Sequence, residues 1–191
     1  ERKIVTIPNG RRFPPEISEI VKRNRFEILM VGALSHEKNI SMALEIIASL
    51  RQNIPNISLK LVGSGPDEDK LRNTVINMGL SDCVIFTGQT NNVWPHYRQA
   101  AVLLLCSETE GVPGVVIEAA ITGLPTVAWN VGDVAAVLEH ERSGLLSNFH
   151  DAAQLHDNLN TILVSDELWN NLRDGAQSLA TQFDIDKVAE S

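Results

Sequence analysis

The sequence predicts a doubly wound α/β domain built on a parallel sheet. Two observations carry this reading. Short apolar runs alternate with segments of helical period along almost the whole chain, the pattern of parallel strands joined by crossover helices. Three successive runs end in glycine, at Gly32, Gly63 and Gly88, which places three strand ends on one edge of the sheet. In open parallel sheets ligands sit beyond the carboxyl ends of the strands, so that edge is the first place to look for a site.

The elements follow in order. The opening stretch supplies a strand and a helix. Residues 26–31 (FEILMV) form a strand, after which Ile40, Leu44, Ile47 and Leu50 repeat at helical spacing until Pro55. Residues 57–62 (ISLKLV) are the next strand, running into Gly-Ser-Gly-Pro at 63–66. Leu71, Val75 and Met78 mark a second amphipathic helix, closed by Gly79. Residues 84–87 are a strand and 94–101 a helix. The run 102–106 (VLLLC) is apolar throughout, as a strand covered on both faces would be. A loop at 107–112 leads to Pro113 in the first turn of a short helix, which stops at Gly123 with Pro125 beyond it. Residues 126–129 are a strand, 134–140 a helix and Leu145-Leu146 a short edge strand. Helices at 152–164 and 166–181 complete the chain, the second within a terminal helical segment at 166–191.

Composition bounds the function. With 191 residues, 43% of them hydrophobic, the chain can bury one good core as a single domain. A net charge of -8 argues against a surface that coats nucleic acid, so any phosphate must be held by local donors. Cys83 and Cys106 lie next to or within strand-like runs and read as buried thiols of a reducing compartment. Without an apolar run of spanning length, the expectation is a soluble, cytoplasmic chain. It begins within a strand-like segment, as an excised piece of a longer protein would.

Two features at the glycine-ended edge stand out. Lys38 lies near a helix start, where a cation opposes the helix dipole unless an anion sits between them. A solvated lysine on a loop is the alternative. Glu110 and Glu118 stand eight residues apart in SETEGVPGVVIEAAITGLPTVAW at 107–129, the first in the loop and the second within the helix. An ionised carboxylate among Val115, Val116, Ile117, Ala119, Ala120 and Ile121 is costly unless it is paired or hydrogen-bonded. Sugar or ribose hydroxyls are suitable donors; a solvent-facing stripe is the alternative. Asp67-Glu68-Asp69 follows Pro66 at a helix start, where acidic residues suit the dipole, and reads as structural rather than metal-binding. The five histidines show no metal-ligand spacing with the cysteines, and neither a nucleophile elbow nor a phosphate-binding GxxxxGK[ST] loop is present.

Taken in order, these pieces resemble the C-terminal, donor-binding half of retaining glycosyltransferases of the GT-B fold, the family 4 group. IPNG at 7–10 resembles the strand and turn after the interdomain hinge, and VGALSHEKNI at 31–40 the phosphate loop, usually VGRLxxEKG. LVGSGPDEDKL at 61–71 and VIFTGQT at 84–90 match the next two strand ends, and EGVPGVVIE at 110–118 the E-x7-E element. The resemblance implies a Rossmann-like half of a GT-B fold over residues 1–191. The implied function is binding a nucleotide-diphosphate sugar for retaining hexosyl transfer to an acceptor glycan, lipid or other small molecule held by a missing N-terminal domain. Lys38 would contact the diphosphate, Glu110 the sugar hydroxyls, and these two are the catalytic candidates. Gly32 and Ala33 belong to the phosphate loop; backbone N–H groups of Val112, Pro113 or Gly114, so far as each has one, would hold phosphate. Glu118 would take the ribose hydroxyls, and the base would lie at Thr90. No metal and no cofactor are implied, no nucleic-acid partner, and membrane contact only through the missing half; the location is cytoplasmic, including the inner face of a membrane. Three positions depart from the pattern: Ala33 stands for the loop's arginine, Asn39 for the glycine after the lysine, and Ala136 for a glutamate after the VGG-like turn. The loss at Ala33 keeps two alternatives open, a degenerate sugar-nucleotide binding module and a GT-B-fold nucleotide-sugar epimerase.

Overall fold

The computed structural model describes residues 23–183. IPNG at 7–10, the strand and helix expected of the opening stretch, and residues 184–191 of the expected terminal segment lie outside the described residues.

Among the described residues, six parallel strands form one sheet in the order β3-β2-β1-β4-β5-β6, with β1 at Glu27–Val31, β2 at Ser58–Val62, β3 at Val84–Gly88, β4 at Val102–Leu105, β5 at Thr126–Trp129 and β6 at Gly144–Ser147. The register is regular from β1 to β2, Glu27 opposite Ser58 through Val31 opposite Val62. The chain winds outward from β1 to β3, then returns to place β4 on the other side of β1. The order therefore reverses between β1 and β4, the crevice where open α/β sheets take ligands.

The helices are α1 (Ile40–Leu50), α2 (Glu68–Asn77), α3 (Trp94–Gln99), α4 (Gly114–Ile121), α5 (Ala152–Val164) and α6 (Asp166–Ala180). Strand alternation divides the core in two. Ile28 and Met30 face a cluster with Leu44 and Ile47 of α1, Leu71 and Val75 of α2 and Leu159 of α5. Leu29, Leu103 and Leu105 face Tyr97 of α3, Ile117 of α4 and Leu179 of α6. Burial of both faces explains why 102–105 contains no polar residue. Side-chain caps mark the two longest helices: Asp151 accepts from the Gln154 N–H and Ser165 from the Leu168 N–H.

Several expected boundaries move. The helix expected at 134–140 is a 3-10 turn at Val134–Ala136, because Val137 leaves the helical region at φ -127°. The chain then bends, with the Glu139 N–H donating to the Ser143 hydroxyl and the His140 ring accepting from the Leu146 N–H. The third helix ends at Gln99, two residues early, as Ala100 is extended. The last helix stops at Ala180 and tightens into a 3-10 turn at Thr181–Phe183. Asp67-Glu68-Asp69 begins α2, with Glu68 paired to Arg72 one turn on at 2.7 Å, as an acidic helix start should be. No helix among the described residues is long and apolar enough to cross a membrane.

Candidate donor site

The strand ends meet at the carboxyl edge. The Gly32 N–H donates to the Val62 carbonyl at 3.0 Å and the Gly63 N–H to the Gly88 carbonyl at 2.9 Å. A Cβ at Gly63 would stand 1.9 Å from the Gly32 carbonyl oxygen. Glycine at 63 is therefore required by strand-end packing itself. Beside these ends opens a cleft of about 330 Å³, lined by Gly32, Ala33, Gly63, Ser64, Gln89 and Thr90 among others. Ala33 is exposed there. The Thr90 hydroxyl closes a local turn with Asn92, accepting its N–H at 3.1 Å.

Lys38 ends a 3-10 turn at His36–Lys38, and Asn39 then turns left-handed (φ 49°, ψ 41°) before α1 begins at Ile40. Lys38 thus lies near the helix start, as expected, in the short 3-10 turn that precedes it. The conformation accounts for position 39: the left-handed region is open to glycine, and asparagine is among the few other residues that enter it readily. Beneath the turn the Cys106 thiol donates to the Asn39 carbonyl at 3.4 Å. Burial pushes that thiol up to about 12, so it stays protonated and is no nucleophile. Cys83 and Cys106 are both free and buried, as expected.

Lys38 Nζ meets Glu110 Oε1 at 2.6 Å, with side chains 27% and 11% exposed. The two catalytic candidates, 72 residues apart in sequence, are thus in direct contact. Glu110 is fixed from behind by the turn after β5. A Cβ on Gly132, whose φ is +56°, would stand 1.8 Å from the Glu110 carbonyl oxygen. At the head of the same loop the Ser107 hydroxyl is buried with no hydrogen-bond partner. Pro113 is the cap of α4 (φ -74°, ψ 109°) and Gly114 its first residue, one position later than the sequence indicated. No side chain caps this helix start, which leaves its first N–H groups, with Val112 alongside, for another acceptor.

Glu118 lies in the second turn of α4, half-buried, and accepts from the Tyr97 hydroxyl at 2.9 Å. The sequence offered sugar or ribose hydroxyls as its donors; the structure also supplies a protein donor on α3. Sequence reasoning missed Tyr97 and Gly132. The chain's one tyrosine sits on the buried side of an amphipathic helix, where its hydroxyl needs a partner, and that was the available signal. Among the described residues no group of three or more His, Cys, Asp or Glu side chains is placed to hold a metal.

Residues 15–179 match the family described as glycosyl transferases group 1. A glycosyltransferase of Haemophilus influenzae is 31% identical over 98% of this chain, and the chain spans 53%, about half, of that relative. Among solved structures, a variant of S. aureus TarM in complex with Fondaparinux, α-GlcNAc-glycerol and UDP superposes on all of this chain with TM-score 0.88 at 18% identity, over 38% of its own length. The C-terminal domain of a group 1 glycosyl transferase (LpcC) of Francisella tularensis gives TM-score 0.77 at 18% identity, over 86% of this chain and 89% of its own. At such identities these structures speak to the fold, a half of the GT-B architecture. The match over 15–179 shows that the chain belongs to the group 1 glycosyl transferases.

Proposed function

We propose that this chain is the donor-binding domain of a retaining glycosyltransferase, holding a nucleotide-diphosphate sugar whose hexose passes to an acceptor bound by an N-terminal half. The contact of Lys38 with Glu110 carries the reading. A cation and a carboxylate share the switch point between β1 and β4, beside a glycine-lined cleft. A diphosphate laid across the start of α4 would meet Lys38 and the uncapped N–H groups of that helix, with Val112, Pro113 and Gly114 around it. Glu110, released by Lys38, then accepts from sugar hydroxyls, Glu118 from the ribose, and backbone near Thr90 holds the base.

Charge developing on the departing diphosphate is stabilised by Lys38 and helix N–H groups fixed before the reaction, so the chemistry needs no metal. The departing phosphate takes the acceptor's proton. Acceptor contacts, and any contact with a membrane, belong to the other half, and the location is cytoplasmic. Titration of UDP, GDP and ADP against this chain, with and without chelator, tests the reading. Binding of one diphosphate in chelator, without sugar transfer by the isolated domain, is expected. Failure of all three to bind refutes the donor site, and binding that vanishes with chelator refutes its independence of metal. Nucleotide release from a donor sugar by the full-length protein separates transfer from a binding module without turnover.

A further inference from the structure

One side chain ties together the loops that carry Lys38 and Glu110. Glu108 Oε1 accepts from Asn39 Nδ2 at 2.8 Å, and Glu108 Oε2 lies 2.7 Å from His150 Nε2. Its backbone N–H donates to the Glu37 carbonyl at 2.8 Å. Three loops, at 32–39 after β1, 106–113 after β4 and 148–151 after β6, thus meet on one residue. Both arms of the link are themselves held. Asn39 is left-handed over the Cys106 thiol. His150, also left-handed at φ 63°, stacks on Phe149 with centroids 3.8 Å apart and meets the edge of Trp129 at 5.3 Å.

We propose that Glu108 is a positioning residue of the donor site, a clamp that sets Lys38 and Glu110 in register. The inference rests on reading these loops as the site of the donor diphosphate. Asn39 directly follows Lys38, and Glu108 precedes Glu110 by two residues, so the clamp acts on both within a few bonds of their Cα atoms. Each loop has ties of its own, the Leu34 N–H to the Ser64 carbonyl at 3.0 Å and Gly132 packed on the Glu110 carbonyl, but the two are joined to each other through Glu108 and the weak Cys106 thiol bond. A shift of about 0.5 Å already takes a 2.9 Å hydrogen bond beyond good geometry, so loops of this kind need such a cross-link.

Glu108→Ala, Glu108→Gln and His150→Ala are compared with the unaltered chain by two measurements. The first is amide hydrogen exchange at 36–39 and 107–112 without nucleotide. The second is affinity for whichever of UDP, GDP and ADP binds best, alongside its free nucleoside. Glu108→Ala should exchange roughly tenfold faster at both loops and bind the diphosphate about tenfold more weakly, as loss of hydrogen bonds to a charged group implies, with nucleoside affinity unchanged. Glu108→Gln should restore most of this, because its amide oxygen can accept from Asn39 while its NH₂ faces the imidazole. His150→Ala should reproduce part of the loss, and it carries the test should Glu108→Ala fail to fold. Unchanged exchange in both Glu108→Ala and His150→Ala overturns the clamp. Faster exchange with undiminished diphosphate affinity overturns its positioning role. If the unaltered chain binds no diphosphate, the donor-site reading fails first and the positioning role with it, while exchange still reports whether the cross-link exists.

Discussion

Replacing Glu110 by glutamine should tighten the binding of a nucleoside diphosphate, although it removes a residue of the site. The reason is the pair at 2.6 Å: a phosphate that takes Lys38 must first draw it from Glu110. A hydrogen bond to a charged group contributes about 1.5–3 kcal/mol, and exposed ion pairs about 0–1 kcal/mol. With Glu110 at 11% and Lys38 at 27% exposure, the pair belongs between these limits, at about 1–2 kcal/mol. Glutamine keeps the acceptor oxygen and loses the charge, so roughly 1 kcal/mol of that is recovered, about fivefold in affinity.

Removing a carboxylate near phosphates also lessens simple repulsion, and a double-mutant cycle separates the two causes. In a Lys38→Ala background no pair remains to be broken, so Glu110→Gln should gain only the repulsion, which is the smaller share at about 0.15 M salt. Calorimetry on the four variants with UDP, GDP or ADP measures the coupling, expected near 1 kcal/mol. The corresponding sugar nucleotide should gain less than the diphosphate, because glutamine is a poorer acceptor for sugar hydroxyls. Equal gains in both backgrounds would refute competition for Lys38. A loss of diphosphate affinity in Glu110→Gln would show that the carboxylate holds Lys38 in place for the phosphate, contrary to this reasoning.

Ala33→Arg should tighten diphosphate binding by about 1.5–3 kcal/mol at about 0.15 M salt while leaving the free nucleoside unaffected, since the exposed position lines the cleft; an unchanged affinity by calorimetry would move the phosphates elsewhere. Glu118→Ala should weaken nucleotide binding by a similar 1.5–3 kcal/mol. It should also lower the stability of the nucleotide-free chain by about 1 kcal/mol in denaturant titration, because the Tyr97 hydroxyl donates to that carboxylate. Gly132→Ala combines a left-handed alanine, about 1–2 kcal/mol, with a Cβ 1.8 Å from the Glu110 carbonyl oxygen. It should reduce both melting temperature and diphosphate affinity, whereas a purely local turn would cost only stability.

The elements most legible in the sequence are those whose ends are written in it. The strand at Thr126–Trp129 and the helix at Ala152–Val164 have the bounds expected of them, and each begins directly after a local signal, Pro125 for the strand and the capping carboxylate of Asp151 for the helix. Segment 134–140 defeats that logic. Val134, Val137 and Leu138 repeat at helical spacing and are all buried, yet their burial is satisfied by a 3-10 turn and a bend. Spacing reports which residues turn inward, and here more than one backbone path achieves it. The site divides along the same line. Lys38 and Glu118 stand out locally, each a charge where dipole or apolar neighbours disfavour one, and Glu110 stands out through its spacing of eight residues from Glu118. Their partners are 72, 72 and 21 residues away, and nothing near them in the sequence names those partners. The rule that a half-buried charge requires a partner therefore held for all three, and each partner that the structure gives is another side chain of the protein. Lys38 and Glu110 neutralise one another, and Glu118 takes the Tyr97 hydroxyl. Function then depends on exchange: these groups can serve a donor only if its phosphates and hydroxyls replace the protein partners at little net cost, so the depth of each existing contact sets the donor's affinity as directly as the new contacts do.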